Sequence, residues 1–291
     1  MKKLISLFLG VSVLLLAACS KQPDTASSEQ KNDAAGLQTV VIASTGSDAD
    51  IWRHIASLPE TKAAGIKLEV KNFTDYVAMN TAVANKEVDL NAFQSYAYLV
   101  AFNAANKDKI APVSTTYLEP MGIYSNKVKK VEEFAQGATI AIPNDGANES
   151  RALLLLQSAG LIKLKPDFDP VKGTPADIIE NSKKIVIKPI QMATAVRVKD
   201  EVDAILLGNT LAMEGGLNVL KDAIFYEPID QSTKLNINIL ATAESRKDDA
   251  VLQKVGALYH TEAVKKYVQE HFAGTKVDVN KPISYLTEAN P

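Results

Sequence analysis

Short apolar runs with strand character alternate along the chain with longer segments whose apolar positions repeat every three or four residues. Between residues 39 and 106, this pattern predicts strands at 39–44, 67–71 and 88–91 and helices at about 48–62, 76–85 and 95–106. Strands that alternate with helices are typical of an α/β domain with a largely parallel sheet. We therefore predict a first α/β lobe in this part of the chain.

The same alternation begins again in the middle of the chain. Residues 122–125 and 139–142 have strand character, residues 148–159 form a predicted helix that stops at Gly160, and 185–188 and 204–207 are further apolar runs. This pattern predicts a second α/β lobe.

A last strand, at 235–241, precedes two predicted helices at about 248–259 and 262–272. If that strand returns to the first sheet, the first lobe is discontinuous. We predict lobe 1 from residues 39–122 plus 236–291, lobe 2 from residues 123–235, and a ligand cleft between them.

The N-terminus has the pattern of an export signal. Two lysines precede an uncharged run over residues 4–16, and small residues lead into Cys19, the only cysteine. We predict a lipoprotein signal peptide at 1–18, acyl chains such as palmitate on Cys19, and a lipid-anchored flexible tether at 19–38. The alternatives are an ordinary secretory signal with a chance cysteine and a short membrane anchor.

Charge and composition narrow the range of partners. Without residues 1–18, which hold two lysines and no acid, the chain has 30 basic and 34 acidic residues. This balance indicates no nucleic-acid partner and no membrane attraction beyond the lipid. With 46% hydrophobic residues the chain has enough apolar side chains for a stable core. We expect a monomer whose folded part lies outside the cytoplasm, in the periplasm or at the cell surface.

The sequence has no pattern of a catalytic or metal centre. His54, His260 and His271 lack the spacing of a zinc site, and we interpret them as solvated helix residues. There is no nucleophile elbow, phosphate loop or dinucleotide motif. We therefore predict a binding protein, with neither enzymatic activity nor cofactor nor metal.

Residues 142–157 offer a candidate anion site, because a strand and a turn lead into a helix N-terminus. Arg151 lies in the first turn, where the helix dipole disfavours a cation. A ligand carboxylate that pairs bidentately with the guanidinium would resolve this conflict. Two alternatives stay open: Arg151 pairs with Asp145, or it faces water.

Several segments resemble one family. They are Asn72-Phe73-Thr74-Asp75-Tyr76, Val88-Asp89-Leu90-Asn91-Ala92-Phe93-Gln94, Pro120-Met121-Gly122-Ile123-Tyr124-Ser125, Pro143-Asn144-Asp145-x-x-Asn148-x-x-Arg151, the Leu153–Gln157 run and the lipid-attachment box. Together, and in this order over nearly the whole mature chain, they resemble the methionine-binding lipoproteins of ABC importers, the NlpA lipoprotein family.

The resemblance implies a two-lobed periplasmic-binding-protein-like fold of type II that closes on a free amino acid and delivers it to a membrane permease. It implies that Arg151 takes the ligand carboxylate and that Asn238 binds the polar end of the amino acid. Asn148, from the arginine motif, and an asparagine after the strand at 204–207, here Asn209, are further implied contacts.

The resemblance also implies an aromatic wall of Tyr76, Phe93 and Tyr98 around the ligand side chain. The chain departs from the family pattern nearby. Ser95 and Ala97 stand where the family usually has histidine and proline, and Gly146-Ala147 replaces Pro-Thr. The family asparagine near 204–207 aligns best with Gly208, one place before Asn209.

Methionine is the ligand that the resemblance favours, with Ser95 among the pocket residues. The alternatives are a receptor of the same fold for another apolar or modified amino acid or a short peptide, and a surface-interaction lipoprotein without a transport role.

Overall fold

The computed structural model describes residues 36–288. The predicted signal peptide, the lipidation at Cys19 and most of the predicted tether lie outside this range. The strands are β1 (Gln38–Ser44), β2 (Ile66–Asn72), β3 (Leu90–Ser95), β4 (Ile110–Thr115), β5 (Tyr117–Leu118), β6 (Met121–Tyr124), β7 (Thr139–Pro143), β8 (Lys163–Leu164), β9 (Ile178–Glu180), β10 (Val186–Ile190), β11 (Ala204–Gly208), β12 (Phe225–Tyr226), β13 (Asn238–Ala243) and β14 (Val277–Asp278).

Helices cover the sheets and connect most of the longer strands. The α-helices are α1 (Gly46–Ser57), α2 (Pro59–Ala63), α3 (Tyr76–Ala84), α4 (Tyr96–Ala105), α5 (Gly146–Ser158), α6 (Asn209–Glu214), α7 (Val219–Asp222), α8 (Ala250–Tyr259), α9 (Glu262–Phe272) and α10 (Ser284–Thr287). Short 3-10 turns lie at Val131–Glu133, Pro175–Asp177, Met192–Val198, Gln231–Asn236 and Glu244–Arg246.

Two five-stranded sheets organise the molecule. The first has the order β2-β1-β3-β13-β4 and the second has the order β10-β7-β11-β6-β12. The first sheet and the helices packed on it are called the first lobe, and the second sheet with its helices is called the second lobe. The returning strand is confirmed, because β13 lies between β3 and β4 in the first sheet. The limits predicted for the lobes, at 122/123 and 235/236, stay a prediction.

Both sheets are largely parallel, as predicted, with four strands in one direction and one reversed strand, β13 in the first sheet and β6 in the second. β1 pairs in parallel with β2 and β3, whereas β13 is antiparallel to β3 and β4. The second sheet follows the same plan, with β7 parallel to β10 and β11 and β6 antiparallel to β11 and β12. In each lobe the antiparallel strands are those beside the passage of the chain between the lobes.

Most predicted elements are present within one or two residues of their predicted limits, and three differ more. The helix predicted at 48–62 is two helices, because Pro59 cannot continue the hydrogen-bond ladder and Leu58 before it is extended. The strand predicted at 88–91 begins at Leu90, and the strand predicted at 235–241 begins at Asn238. Apolar residues before each strand belong to the preceding turn.

Each lobe has its own core. In the first lobe Ile51, Trp52 and Ile55 of α1 pack with Ile42 of β1 and residues of α8 and α9. In the second lobe, Leu153 and Leu156 of α5 pack on β7. Among residues 36–288, no helix has the length and apolar character needed to cross a membrane.

Candidate functional site

A cavity of about 60 Å³ lies where the two sheets face each other. The carboxyl ends of β1, β3, β7 and β11 and the helices that follow them supply most of its wall. Parallel strands of an α/β sheet commonly place ligand sites at this edge. Its lining residues are Thr45, Asp48, Tyr76, Phe93, Gln94, Ser95, Tyr98, Glu119, Asn148, Arg151, Met192, Gly208, Thr210, Leu211 and Asn238.

Three aromatic rings form one wall of the cavity. The centroid of Phe93 lies 4.9 Å from that of Tyr76 and 5.8 Å from that of Tyr98, and the two tyrosines are 6.2 Å apart. Burial raises the pKa of both tyrosine hydroxyls, so they stay neutral. The structure thus brings together all three predicted aromatic residues. Their tilted and edge-on packing fixes the shape of the wall.

A buried amide network supports this wall from behind. The Nδ2 of Asn80 donates to Gln94 Oε1 at 2.9 Å, and Gln94 Nε2 donates to the Oδ1 atoms of Asn80 and Asn91 at 2.7 and 2.8 Å. Because these side chains are buried and satisfied, they hold β3 and α3 in one arrangement. No pattern in the sequence marked this network.

Arg151 reaches the cavity, and its main partner is a carboxylate. Its Nε and Nη2 donate to Glu227 at 2.8 and 2.5 Å, and Nη2 also donates to the Glu119 carbonyl at 2.8 Å. Arg151 makes no ion pair with Asp145, which instead caps α5 by accepting from the backbone N–H of Asn148 at 3.1 Å. Arg151 is therefore paired within the protein, but with Glu227 rather than with Asp145.

One nitrogen of Arg151 is left for a ligand. Nη1 makes no hydrogen bond within residues 36–288, whereas both hydrogens of Nη2 are used. Nη1 is therefore the guanidinium nitrogen without a protein partner in this range, and the bidentate pair that the sequence suggested for a ligand is made with Glu227 instead.

Two further predicted residues present polar groups to the cavity. The side chain of Asn238 is buried, and its amide has no hydrogen-bond partner in the described part of the chain. Ser95 accepts from the backbone N–H of Tyr98 at 3.2 Å, so it caps α4. The main-chain register places Asn238 opposite Ser95, at the point where β13 meets β3.

Asn209 does not line the cavity, although its neighbours Gly208 and Thr210 do. Its Nδ2 donates to Glu119 Oε2 and to Thr275 Oγ1, both at 3.2 Å, and its buried Oδ1 has no partner among the described residues. Asn209 thus holds Glu119 in place, and its direct contact with a ligand stays a prediction.

A buried ionic cluster forms the floor of the cavity. Lys276 Nζ donates to Asp48 Oδ1 and Glu119 Oε2, both at 2.8 Å, and to Thr210 Oγ1 at 2.7 Å. The hydroxyl of Tyr117 donates to the same Asp48 oxygen at 2.6 Å, and its ring lies 4.0 Å from the Lys276 ammonium. Sequence analysis missed this cluster, because its members lie far apart along the chain.

The two carboxyl groups of the cluster respond differently to it. Burial raises the pKa of Asp48, although the Lys276 ammonium opposes that shift. Burial also acts to raise the pKa of Glu119, but Lys276 and the hydrogen bonds from Asn209 and Thr210 outweigh it and lower that pKa. Glu119 therefore carries a charge at the edge of the cavity.

The interpretation of the histidines as solvated needs two corrections. The ring of His54 stacks on Tyr267 with centroids 4.0 Å apart, its Nε2 is buried without a partner among the described residues, and burial lowers its pKa. The side chain of His260 is only 8% exposed and bonds to Asp278 Oδ1 at 2.7 Å and to the Thr115 carbonyl at 2.9 Å. It joins α8 to β14 and β4, so it is a structural residue rather than a solvated one. In the described range, no group of three potential ligands is placed to hold a metal ion.

Comparisons with known proteins agree with this architecture. The sequence model of the family described as NlpA lipoprotein matches residues 40–280. A probable D-methionine-binding lipoprotein MetQ from Pasteurella multocida is 34% identical over 272 residues, which cover 94% of this chain and 96% of that protein.

Solved structures with this fold include proteins from two other bacteria. A nutrient-binding protein from Burkholderia cenocepacia bound to methionine is 33% identical, with a TM-score of 0.77, and the match covers 82% of this chain and 99% of that one. The substrate-binding protein of a methionine transporter from Streptococcus pneumoniae is 38% identical, with a TM-score of 0.75, covering 83% and 95%.

Proposed function

Because this chain belongs to the NlpA lipoprotein family, we propose that it is the substrate-binding lipoprotein of an ABC importer, which binds a free amino acid and passes it to a membrane permease. The observation that carries the proposal is the composition of the cleft cavity. One arginine nitrogen, one unpartnered amide, one charged carboxylate and three aromatic rings converge on the same small space. A zwitterion with an apolar side chain satisfies all of them at once.

We propose one part of the cavity for each end of the ligand. The carboxylate lies at Arg151 Nη1, near the N-terminus of α5, where the helix dipole also favours an anion. The ammonium faces Glu119, and the amide of Asn238 serves the polar end. The side chain then points towards Tyr76, Phe93 and Tyr98.

Methionine is the ligand we propose first. An aromatic wall favours a flexible, polarizable thioether, which gains from contact with ring edges. Relatives named for methionine binding or methionine transport support this choice. Catalysis has no part in the proposed function.

A second candidate ligand class follows from a neighbouring cavity. A volume of about 270 Å³ shares Thr45, Tyr76, Tyr98, Met192 and Leu211 with the site and leads away from it. This space favours the alternative of a modified methionine or a short peptide, whose extra atoms it would receive.

Thermal shift measurements on refolded, ligand-free protein test the proposal. Methionine is expected to raise the melting temperature more than leucine does, and both far more than glutamate or lysine, whose charged ends would enter an apolar wall. The panel consists of the twenty amino acids together with methionine sulfoxide and methionine dipeptides. If none of these ligands shifts the melting temperature, the amino-acid assignment is wrong and a surface-interaction role gains weight.

A matched pair of variants separates the site from the fold. Asn238→Ala removes an amide without a protein partner, so we expect loss of methionine binding by about tenfold or more with an unchanged melting temperature of the unliganded protein. Asn280→Ala, at an exposed position between β14 and α10 that lines neither cavity, is the control and should bind as wild type. Equal affinities in titration calorimetry would remove Asn238 from the site.

Attachment to the membrane is a separate part of the proposal. We expect acyl chains on Cys19 to hold the protein outside the cytoplasm and a monomer to carry the ligand. Cys19→Ala should therefore leave folded protein in the soluble or unprocessed fraction. Mass spectrometry of the processed N-terminus and light scattering test the two points. A processed Cys19→Ala variant that still sediments with membranes contradicts the lipid anchor.

A further inference from the structure

The ionic cluster at the floor of the cavity has two carboxyl groups, Asp48 and Glu119, and one ammonium, Lys276, so with both carboxyl groups ionised it holds one more negative than positive charge. Among residues 36–288, Lys276 is the one cation that forms ion pairs with the carboxylates of Asp48 and Glu119, and all three of its hydrogens are used. Arg151 contacts only the backbone carbonyl of Glu119, and its own charge is paired with Glu227. Its side chain has no exposed surface, and those of Asp48 and Glu119 are at most 9% exposed. A buried surplus charge is costly unless a partner arrives, so the arrangement is suited to a ligand cation.

The surplus charge faces the cavity rather than the protein interior. Asp48, Glu119 and Thr210 all line the cavity, whereas Lys276 lies behind them against the ring of Tyr117. A second observation points to a ligand at the same place. Asn238 lines this cavity and is only 5% exposed, and its side-chain amide has no hydrogen-bond partner in the described residues.

The cluster also joins the two lobes. Asp48 belongs to α1, and Lys276 follows α9, so both belong to the first lobe. Thr210 belongs to α6 of the second lobe, and Glu119 lies where the chain passes from the first sheet to β6. The hydrogen bonds of Lys276 to Thr210 and Glu119 therefore depend on the two lobes being together.

We propose that the uncompensated charge of the Asp48–Lys276–Glu119 cluster makes this receptor selective for ligands with a free ammonium group. This rests on the proposed function, because it concerns the polar end of the same amino-acid ligand. Glu119 faces the ammonium, Asp48 supplies the surplus charge, and Lys276 is a positioning residue that keeps both carboxylates directed to the cavity. The ligand ammonium neutralises the cluster as the lobes close.

Charge balance can be tested with substitutions of nearly equal size. Asp48→Asn leaves Lys276 and Glu119 as a neutral pair, so the preference for methionine over 4-(methylthio)butanoate, which lacks the amine, should fall by about tenfold or more. Asp48→Asn combined with Lys276→Met restores the surplus on Glu119 alone, so the preference should return. Asp50→Asn is the control, since Asp50 lies on the same helix and is exposed.

Titration calorimetry with the two ligands gives one ratio of dissociation constants for each variant. An unchanged ratio in Asp48→Asn, or a ratio that stays low in the double variant, overturns the proposal. If Asp48→Asn does not fold, circular dichroism detects it, and the double variant alone decides, because it must then keep the wild-type ratio. Wild-type protein that binds neither ligand contradicts the proposed function instead, so the two failures are distinct.

Discussion

The pairing of Arg151 with Glu227 predicts that Arg151→Ala destabilises the fold as well as the binding site. Both side chains are 9% exposed, and the guanidinium holds the carboxylate through Nε and Nη2. Glu227 also accepts from the backbone N–H of Met121 at 2.7 Å, so it cannot turn towards solvent without breaking a second buried contact.

The expected loss follows from the charge that remains. Removing one partner of a buried pair leaves an unpaired carboxylate and costs about 3–5 kcal/mol, whereas an exposed pair is worth about 0–1 kcal/mol. For a chain of this size, one kcal/mol corresponds to a shift of roughly 2–4 °C. Arg151→Ala should therefore lower the melting temperature by about 6–20 °C.

Urea unfolding of three variants measures this loss. Arg53→Ala breaks the exposed pair with Asp50 and should change the free energy of unfolding by less than about 1 kcal/mol. Arg151→Met with Glu227→Gln keeps an acceptor for Met121 and removes both charges, so it should recover about 2 kcal/mol or more relative to Arg151→Ala. A cost for Arg151→Ala no larger than that of Arg53→Ala would refute the argument.

Three further outcomes are expected. Gly46→Ala should lower the free energy of unfolding in urea by about 1–2 kcal/mol, because Gly46 has a φ of +45° and the new Cβ would meet the Glu214 side chain. Gly65→Ala is the control: Gly65 has a φ of +78° but no atom close to its new Cβ, so this variant measures the backbone strain alone. Asp203→Asn should lower the free energy of unfolding by about 1–2 kcal/mol at pH 7, because the charged carboxylate accepts from the backbone N–H of Thr139 and pairs with Lys127. These two contacts lower the Asp203 pKa, so the difference between variant and wild type should shrink as pH falls below about 4 and vanish below the folded-state pKa. Gly208→Asn should fold as wild type, within about 0.5 kcal/mol, and bind methionine equally or more tightly in calorimetry, because the added side chain has space beside the cavity; a tenfold weaker affinity would contradict this placement.

Local signals in the sequence predicted the fold well. The helices α3, α4 and α9 lie close to their predicted limits, because a regular apolar repeat and a capping residue or glycine mark their ends. The one reversed strand in each sheet could not be predicted in this way. Strand direction depends on which distant segment pairs with β3 and β4, and periodicity carries no information on pairing partners.

The site residues also fall into those that a local motif marks and those that only the tertiary structure brings together. The residues that motifs marked, such as Phe93 and Arg151, lie at the cavity as expected. The residues that motifs did not mark are partners across the fold: Glu227 for Arg151, and Lys276 for Glu119. A lysine after the last long helix resembles any surface lysine in the sequence, and only the tertiary structure shows that it is buried between two carboxylates.

The position of β13 sets an order for folding as the chain emerges from its N-terminus. In the described part of the chain, β4 is an edge strand of the first sheet that pairs with β13, and β13 begins at Asn238. All strands of the second sheet lie between these two, within residues 121–226. The second lobe can therefore fold as one continuous segment before β4 pairs with β13. Closing the first sheet around a finished second lobe requires contacts between distant residues, which form slowly. The cleft between the two sheets is therefore complete only after the part of the chain that begins at Asn238 has joined the first sheet.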